Sequence, residues 1–392
     1  MDDFIKRGYI EFRTLSPVYI GCGRTAGKKE YLYDTKTGRV EILQMDKVFD
    51  RIQSLGLTDV FEKYLLAESK EDRWKAGSDL LSFLRNNRIP EREYSTWSDE
   101  IVSSADPDMN FRSVKDINLF VRNERGMPFV PGSGFKGMLR TALETEYYLK
   151  DREQSAEMAD RIRRRVQENE SRPLRRDKFL KNEDSDIDVA SMHRELFAPK
   201  DNEPAYKNLR DQKNDILRGL LVGDSEELTW DDMCICEKID LNTLGVQKSL
   251  NVLREAIKPG VTIRIPITID TRICQYTVSD ILGAIRSFNT NYLTTFANKF
   301  SDAPKTGGNT TTFFLGGGTG YASKTVTYGI LSGTDAVDQV SRIINTTLNN
   351  RARQQHGHRS DVRKGVSPHI LKCTKYNGKL MQMGACCVTK YL

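Results

Sequence analysis

The 392-residue chain is 38% apolar, 29% charged and 9% aromatic, with a net charge of +6. That composition excludes a disordered polymer, and the length suffices for one large domain or two or three ordinary ones. The opening MDDFIKRGYIEF holds no apolar signal core and no run of 18 apolar residues occurs, so a cytoplasmic protein without membrane contact is expected.

In YIEFRTLSPVYIGCG (9–23), Ile10, Phe12 and Thr14 alternate with charged residues, which predicts a strand followed by a loop over 21–27. YLYD (31–34) and VEILQM (40–45) read as short strands around TKTGR. Val48, Ile52, Leu55, Val60, Phe61, Tyr64, Leu65, Leu80, Leu81 and Leu84 recur at helical spacing, marking a helical insertion at about 47–125. Its YSTWSDEIVSSADPDMN part (94–110) reads as loop.

PFVPGSGFKGMLRTALETEYYLK (128–150) predicts a helix capped by Ser133, with Phe135, Met138, Leu139, Ala142, Leu143 and Tyr147 on one stripe. Lys136 and Arg140, four apart, share another side. The 151–205 stretch is charge-dense, with eight basic residues between Arg161 and Lys178, and reads as a mobile or partly helical insertion. GLLVGDSE, MCICEKIDL and VTIRIPITID are strand candidates, and SDILGAIRSFNTNYLTTFANKF a helix capped by Ser279. A polar helix near Ala336–Leu348, a basic loop NNRARQQHGHRSDVRKG and a closing hairpin turned at Asn377-Gly378 complete the chain. With the insertions set aside, strand, helix, strands, helix and strand give an α+β class with a discontinuous RRM-like (ferredoxin-like) core over 1–325, followed by a basic 326–392 region ending in a β-hairpin.

LGGGTGYASKT (315–325) comes one residue short of a phosphate-binding loop, with Ser323 where the second glycine belongs. TVTYGILSG after it is β-branched and turn-rich, not the helix a nucleotide-hydrolysing loop needs. Gly316, Gly317, Gly318 and Gly320 still free backbone N–H groups to face an anion, and Lys324 adds a cation. Tyr321 is a stacking candidate or a packed loop tyrosine. Between Ser341 and Leu392 ten Lys or Arg face one acid, Asp361, a surplus of +9 that leaves 1–340 at −3. Such a basic block suits a polyanion.

Seven scattered cysteines argue against a disulfide framework, and Cys234 and Cys236 read as core residues. A metal-independent ribonuclease needs histidines, and only His193, His356, His358 and His369 exist; His356-x-His358 is placed in a flexible loop. Asp186, Asp188, Asp231 and Asp232 read as solvated faces or turns. No cofactor and no metal is expected.

TLSPVYIGCG (14–23), PFVPGSGFKGMLRTAL (128–143) and LGGGTGYASKT, in this order, resemble the RAMP superfamily of CRISPR-associated proteins, in particular subunits of the type III-A (Csm) effector. VGDSE (223–227) and KIDLNTLGVQKSLNVLREAIKPGVTIRI (238–265) fall between them as that resemblance requires. It implies an RRM-like fold, binding of guide RNA (crRNA) and contact with neighbouring RAMP subunits. It also implies a place at the guide 3′ end, support of its maturation with nucleases that trim it, and no nuclease chemistry of its own. In target-cleaving subunits an aspartate follows the first strand; here GCGRTAGKKEYLYD has no acid before Glu30 and Asp34. The RNA-binding residues expected are Gly21, Gly23, Arg24, Ser133, Lys136, Arg140, Gly316, Gly317, Gly318, Gly320 and Lys324. The rival readings are a repeat-processing endoribonuclease of the same superfamily, another backbone subunit, and a scaffold that touches only protein.

Overall fold

The computed structural model describes residues 4–34, 36–67, 79–98, 100–106, 109, 115–172, 176–197, 205–305 and 310–392. The 68–78 part of the expected helical insertion and residues 173–175 of the basic stretch lie outside them. The strands are β1 (Ile5–Thr14), β2 (Gly21–Ala26), β3 (Tyr31–Asp34), β4 (Arg39–Ile42), β5 (Glu100–Ser104), β6 (Ile117–Phe120), β7 (Leu220–Val222), β8 (Met233–Asn242), β9 (Gln247–Ile257), β10 (Thr262–Asp270), β11 (Thr312–Phe314), β12 (Ile370–Tyr376), β13 (Lys379–Gln382) and β14 (Ala385–Tyr391). The helices are α1 (Met45–Ser54), α2 (Thr58–Leu66), α3 (Leu80–Asn86), α4 (Gly132–Lys150), α5 (Arg152–Ser171), α6 (Arg176–Met192), α7 (Ala205–Leu209), α8 (Val278–Thr295), α9 (Thr327–Ile330), α10 (Gly333–Thr347), α11 (Asn350–His356) and α12 (Asp361–Lys364).

Two sheets result, so the class is mixed α+β. One has the order β11-β14-β1-β10-β7, all antiparallel. Its strands form because apolar residues repeat every second position: in β10, Ile263, Ile265, Ile267 and Ile269 are buried between exposed or half-buried neighbours. The chain's last strand, β14, lies directly beside the first, so the C-terminal segment is integral to this sheet. The second sheet runs β2-β6-β9-β8-β5-β4-β3, with β12 also paired to β8 and β13 to β12. The hairpin turn expected at Asn377-Gly378 is present, both residues at positive φ (47° and 74°).

Helices α4 and α8 pack together against the first sheet. Phe12 of β1, Phe135 of α4 and Phe313 of β11 meet with ring centroids 5.2–5.7 Å apart. Each such ring pair adds about 0.5–1.5 kcal/mol beyond its burial, and the triad fixes where β11 delivers the glycine loop relative to α4. α1–α3 form a satellite core in which Phe61, Tyr64 and Phe83 cluster.

Several local expectations need correction. Residues 21–26 are strand, paired with β6, because exposed backbone there still finds a ladder partner. The supposed loop at 94–110 contains a 3₁₀ turn through Trp97 and then β5. β9 is not among the expected strands; its exposed first half is rich in polar residues and hides its period. The cap of α4 is Pro131 and not Ser133, and α8 is capped by Thr277, whose hydroxyl accepts from the Asp280 N–H while the Asp280 carboxylate accepts from the Thr277 N–H. TVTYGILSG contains the helical turn α9. Asp186 and Asp188 are not solvated faces: they pair with Arg165 and Arg210, and with Arg140 and His193. The 351–364 stretch is helical, not a flexible loop, and His358 within it is buried.

Candidate nucleic-acid interface

The loop after β11 crosses the segment that follows β1 at very short range. Gly316 and Gly318 have φ of +81° and +77°; a Cβ on Gly316 would lie 2.2 Å from the Tyr19 carbonyl oxygen, and one on Gly318 2.1 Å from the Arg254 guanidinium. The Gly317 N–H donates to the Tyr19 carbonyl at 2.5 Å. These glycines therefore have an intramolecular cause, a left-handed turn pressed against backbone. Gly320, at φ +104°, lies over the Lys372 side chain.

That crossing builds one wall of a cleft of about 420 Å³, lined by Gly21, Gly316, Gly317 and Lys324 on one side and by Gly134, Gly137, Met138 and Thr141 of α4 on the other. The glycine turn and the N-terminal part of α4 thus share one groove. A Cβ at Gly134 or Gly137 would meet nothing within 4 Å, so the helix backbone itself is open to an approaching chain there. Gly23, at φ +80°, also faces open space, and Arg24 is exposed beside it. At the helix start the Gly132 N–H is taken by Asp224 at 2.7 Å, while Ser133 is exposed.

The two expected cations of α4, Lys136 and Arg140, point elsewhere. Lys136 Nζ donates to the Leu217 carbonyl at 2.8 Å, and burial holds its pKa below the usual lysine range. Arg140 pairs with Asp188 and, at 2.6 Å, with Asp215. On a 3.6-residue helix Lys136 lies roughly 100–160° around from Gly134, Gly137 and Thr141. Arg140 lies roughly 100–120° from Gly134 and Thr141 but only about 60° from Gly137. It is the ion pairs with Asp188 and Asp215 that turn Arg140 away. Tyr321 is packed in, its hydroxyl 3.0 Å from that of Thr327. His193 is buried, its ring held between the Leu209 carbonyl and Asp188.

Sequence reasoning overlooked a cation band beside the glycine loop. Arg254 of β9 sits over the Tyr19 ring at 5.2 Å, and its buried Nε has no hydrogen-bond partner. Lys238 and Lys372 lie nearby, the latter paired with Asp240 at 2.9 Å. Burial lowers the Lys238 pKa, helped by Lys372 and Arg254. Lys324 is exposed, yet the packed surface beneath it lowers its pKa and Arg254 lowers it further. Cations that depress one another make a place where an anion is stabilised. The Gly134/Gly137 spacing was a usable signal, since i and i+3 share a helix face; Arg254 had none, because its strand was unrecognised.

Residues 11–321 match the model of the RAMP superfamily. The chain belongs to that superfamily. It is 24% identical to the CRISPR system Cms protein Csm5 of Streptococcus thermophilus over 332 residues, 82% of each chain. With the Csm5 of Enterococcus italicus the identity is 25% over 411 residues, 96% of this chain and 95% of the relative. In fold it resembles a chain of a cryo-EM Csm–crRNA–target RNA ternary complex of a type III-A CRISPR-Cas system, at TM-score 0.60 and 16% identity, covering 97% of this chain and all of that one. The crystal structure of T. onnurineus Csm5 is similar at TM-score 0.54 and 15% identity, covering 97% and 100%. This is thus a RAMP-superfamily protein similar to Csm5 proteins of CRISPR systems over most of its length. Among the described residues no helix is long and apolar enough to cross a membrane.

Proposed function

We propose that this RAMP protein is a non-catalytic, cytoplasmic subunit that clasps the 3′ segment of a crRNA and caps a filament of neighbouring RAMP subunits, supporting guide maturation by nucleases that trim it. The observation that carries this is the single cleft between the glycine turn at 316–317 and the open backbone of α4 at 134–137, with Lys324 at its rim. Glycines in both walls, beside apolar side chains such as Met138 and Phe288, leave backbone open to a sugar–phosphate chain of any sequence, and exposed or partner-poor cations supply affinity that falls with salt. The fold supports the reading. β1, α4, β7, β10, α8 and β14 follow one another as β-α-β-β-α-β, and in the sheet their strands stand in the order 4-1-3-2 expected of an RRM-like core. In this arrangement the core is discontinuous, and the C-terminal strand supplies its fourth member.

The test is fluorescence anisotropy of single-stranded RNA across a salt series, comparing the unaltered chain with Arg24→Glu/Lys324→Glu, both exposed positions. Removing one phosphate-neutralising cation should flatten the log K against log salt slope by about 0.7. An unchanged slope in a folded double variant would remove the cleft from the RNA path.

A further inference from the structure

Three of the four histidines, His356, His358 and His369, gather at one place. His356 ends α11, His358 opens the turn into α12, and His369 precedes β12. His358 and His369 close on one carboxylate. Asp361, fully buried, accepts from His358 Nδ1 at 2.9 Å and from the Ser367 hydroxyl at 2.8 Å on Oδ2, and from His369 Nδ1 at 2.6 Å on Oδ1. Those hydrogen bonds hold its carboxyl down at about 2.

Asp361 is also the only acid between Ser341 and Leu392, in the most basic part of the chain. Burying that one acid where two imidazole nitrogens converge is an uncommon use of it. One ligand atom from each of His358, Asp361 and His369 lies within 4.8 Å of the others, and among the described residues no other group of three reaches this. Ligands on a dication with bonds of about 2.0–2.2 Å sit roughly 3–3.5 Å apart. The imidazole nitrogens now 2.9 and 2.6 Å from the Asp361 carboxylate would therefore move out from it by a few tenths of an ångström to admit an ion, within a group that spans no more than 4.8 Å. The rings of His358 and His369 have centroids 5.0 Å apart, and His369 is only partly buried, which leaves a way in from the side of exposed His356.

We propose that His358, Asp361 and His369 form a binding site for one transition-metal dication of the Zn²⁺ and Co²⁺ class, with water in the remaining position. Two imidazoles and one carboxylate select such ions over Mg²⁺ or Ca²⁺, which prefer all-oxygen sets. On binding, each neutral imidazole moves its proton from Nδ1 to Nε2 through water, which frees the Nδ1 lone pair for the ion, so the two Nδ1–H···carboxylate bonds are replaced by metal bonds. The ion would tie α12 to the start of β12, independently of any RNA.

The experiment uses the full chain, metal-stripped, carrying Cys22→Ser because Cys22 is the exposed thiol. Titration with Co²⁺ is followed by its visible d–d absorption, and with Zn²⁺ by calorimetry, in the absence of RNA. One equivalent should bind, excess Mg²⁺ should not compete, and His369→Gln and Asp361→Asn should each weaken binding at least about tenfold. Zn²⁺ should also raise the melting temperature of the parent and not of the variants. Should Asp361→Asn fail to fold, His369→Gln alone decides. No binding, or binding that survives His369→Gln unchanged, would mean that the cluster is a hydrogen-bond network only.

Discussion

Gly137 lies in the interior of α4, where glycine costs a helix about 0.8–1 kcal/mol relative to alanine through lost backbone entropy. The space beside it is empty: a Cβ would meet no atom within 4 Å. Gly137→Ala should therefore stabilise the free protein by about 0.5–1 kcal/mol, since neither packing nor φ opposes it. Gly137→Glu should fold equally well, but it projects a carboxylate into the cleft opposite Lys324. There it both blocks close approach to the helix backbone and repels phosphate, and forgoing even one charge-assisted hydrogen bond of about 1.5 kcal/mol means a tenfold drop in affinity. Urea denaturation and RNA anisotropy on the same preparations separate the two effects. The outcome expected is a chain at least as stable as the parent that binds single-stranded RNA about tenfold or more weakly. If Gly137→Glu binds RNA as the parent does while folding normally, the strand does not run along α4 and the cleft has another purpose.

Gly316→Ala should act in the opposite sense on stability, costing about 2 kcal/mol or more by chemical denaturation, because a Cβ there meets the Tyr19 carbonyl and the left-handed φ already costs about 1–2 kcal/mol. Glu183 of α6 is buried with both carboxyl oxygens unpartnered, and its pKa is raised to about 8, chiefly by burial. With the folded pKa above the unfolded one, stability is fully present below about pH 4.5 and drains as pH rises towards 8. Glu183→Gln should thus leave stability near pH 4.5 almost unchanged and raise it at about pH 7–8 by up to roughly 3 kcal/mol; equal effects at both pH values would disprove the assignment.

Most elements that form from local pattern were legible. The alternation in β10, the Asn377-Gly378 turn and the apolar stripe of α4 each announce themselves within a dozen residues. The glycine loop was also legible as a motif, but the cause the structure shows, the close approach of Tyr19 to Gly316 and of Arg254 to Gly318, was not. Lys136 and Arg140 show a related failure. Their i, i+4 spacing correctly puts them on one side of α4, but nothing local says that Leu217, Asp188 and Asp215 will come to meet them.

The sequence alone determined the RAMP resemblance, the mixed α+β class and the glycine-rich walls, because each is written in residues a few positions apart. Which cations stand free and that β14 lies beside β1 were decided only by the tertiary structure. Those facts depend on pairings across long stretches of chain, where register and burial are settled by packing the whole molecule at once and no local period records the result.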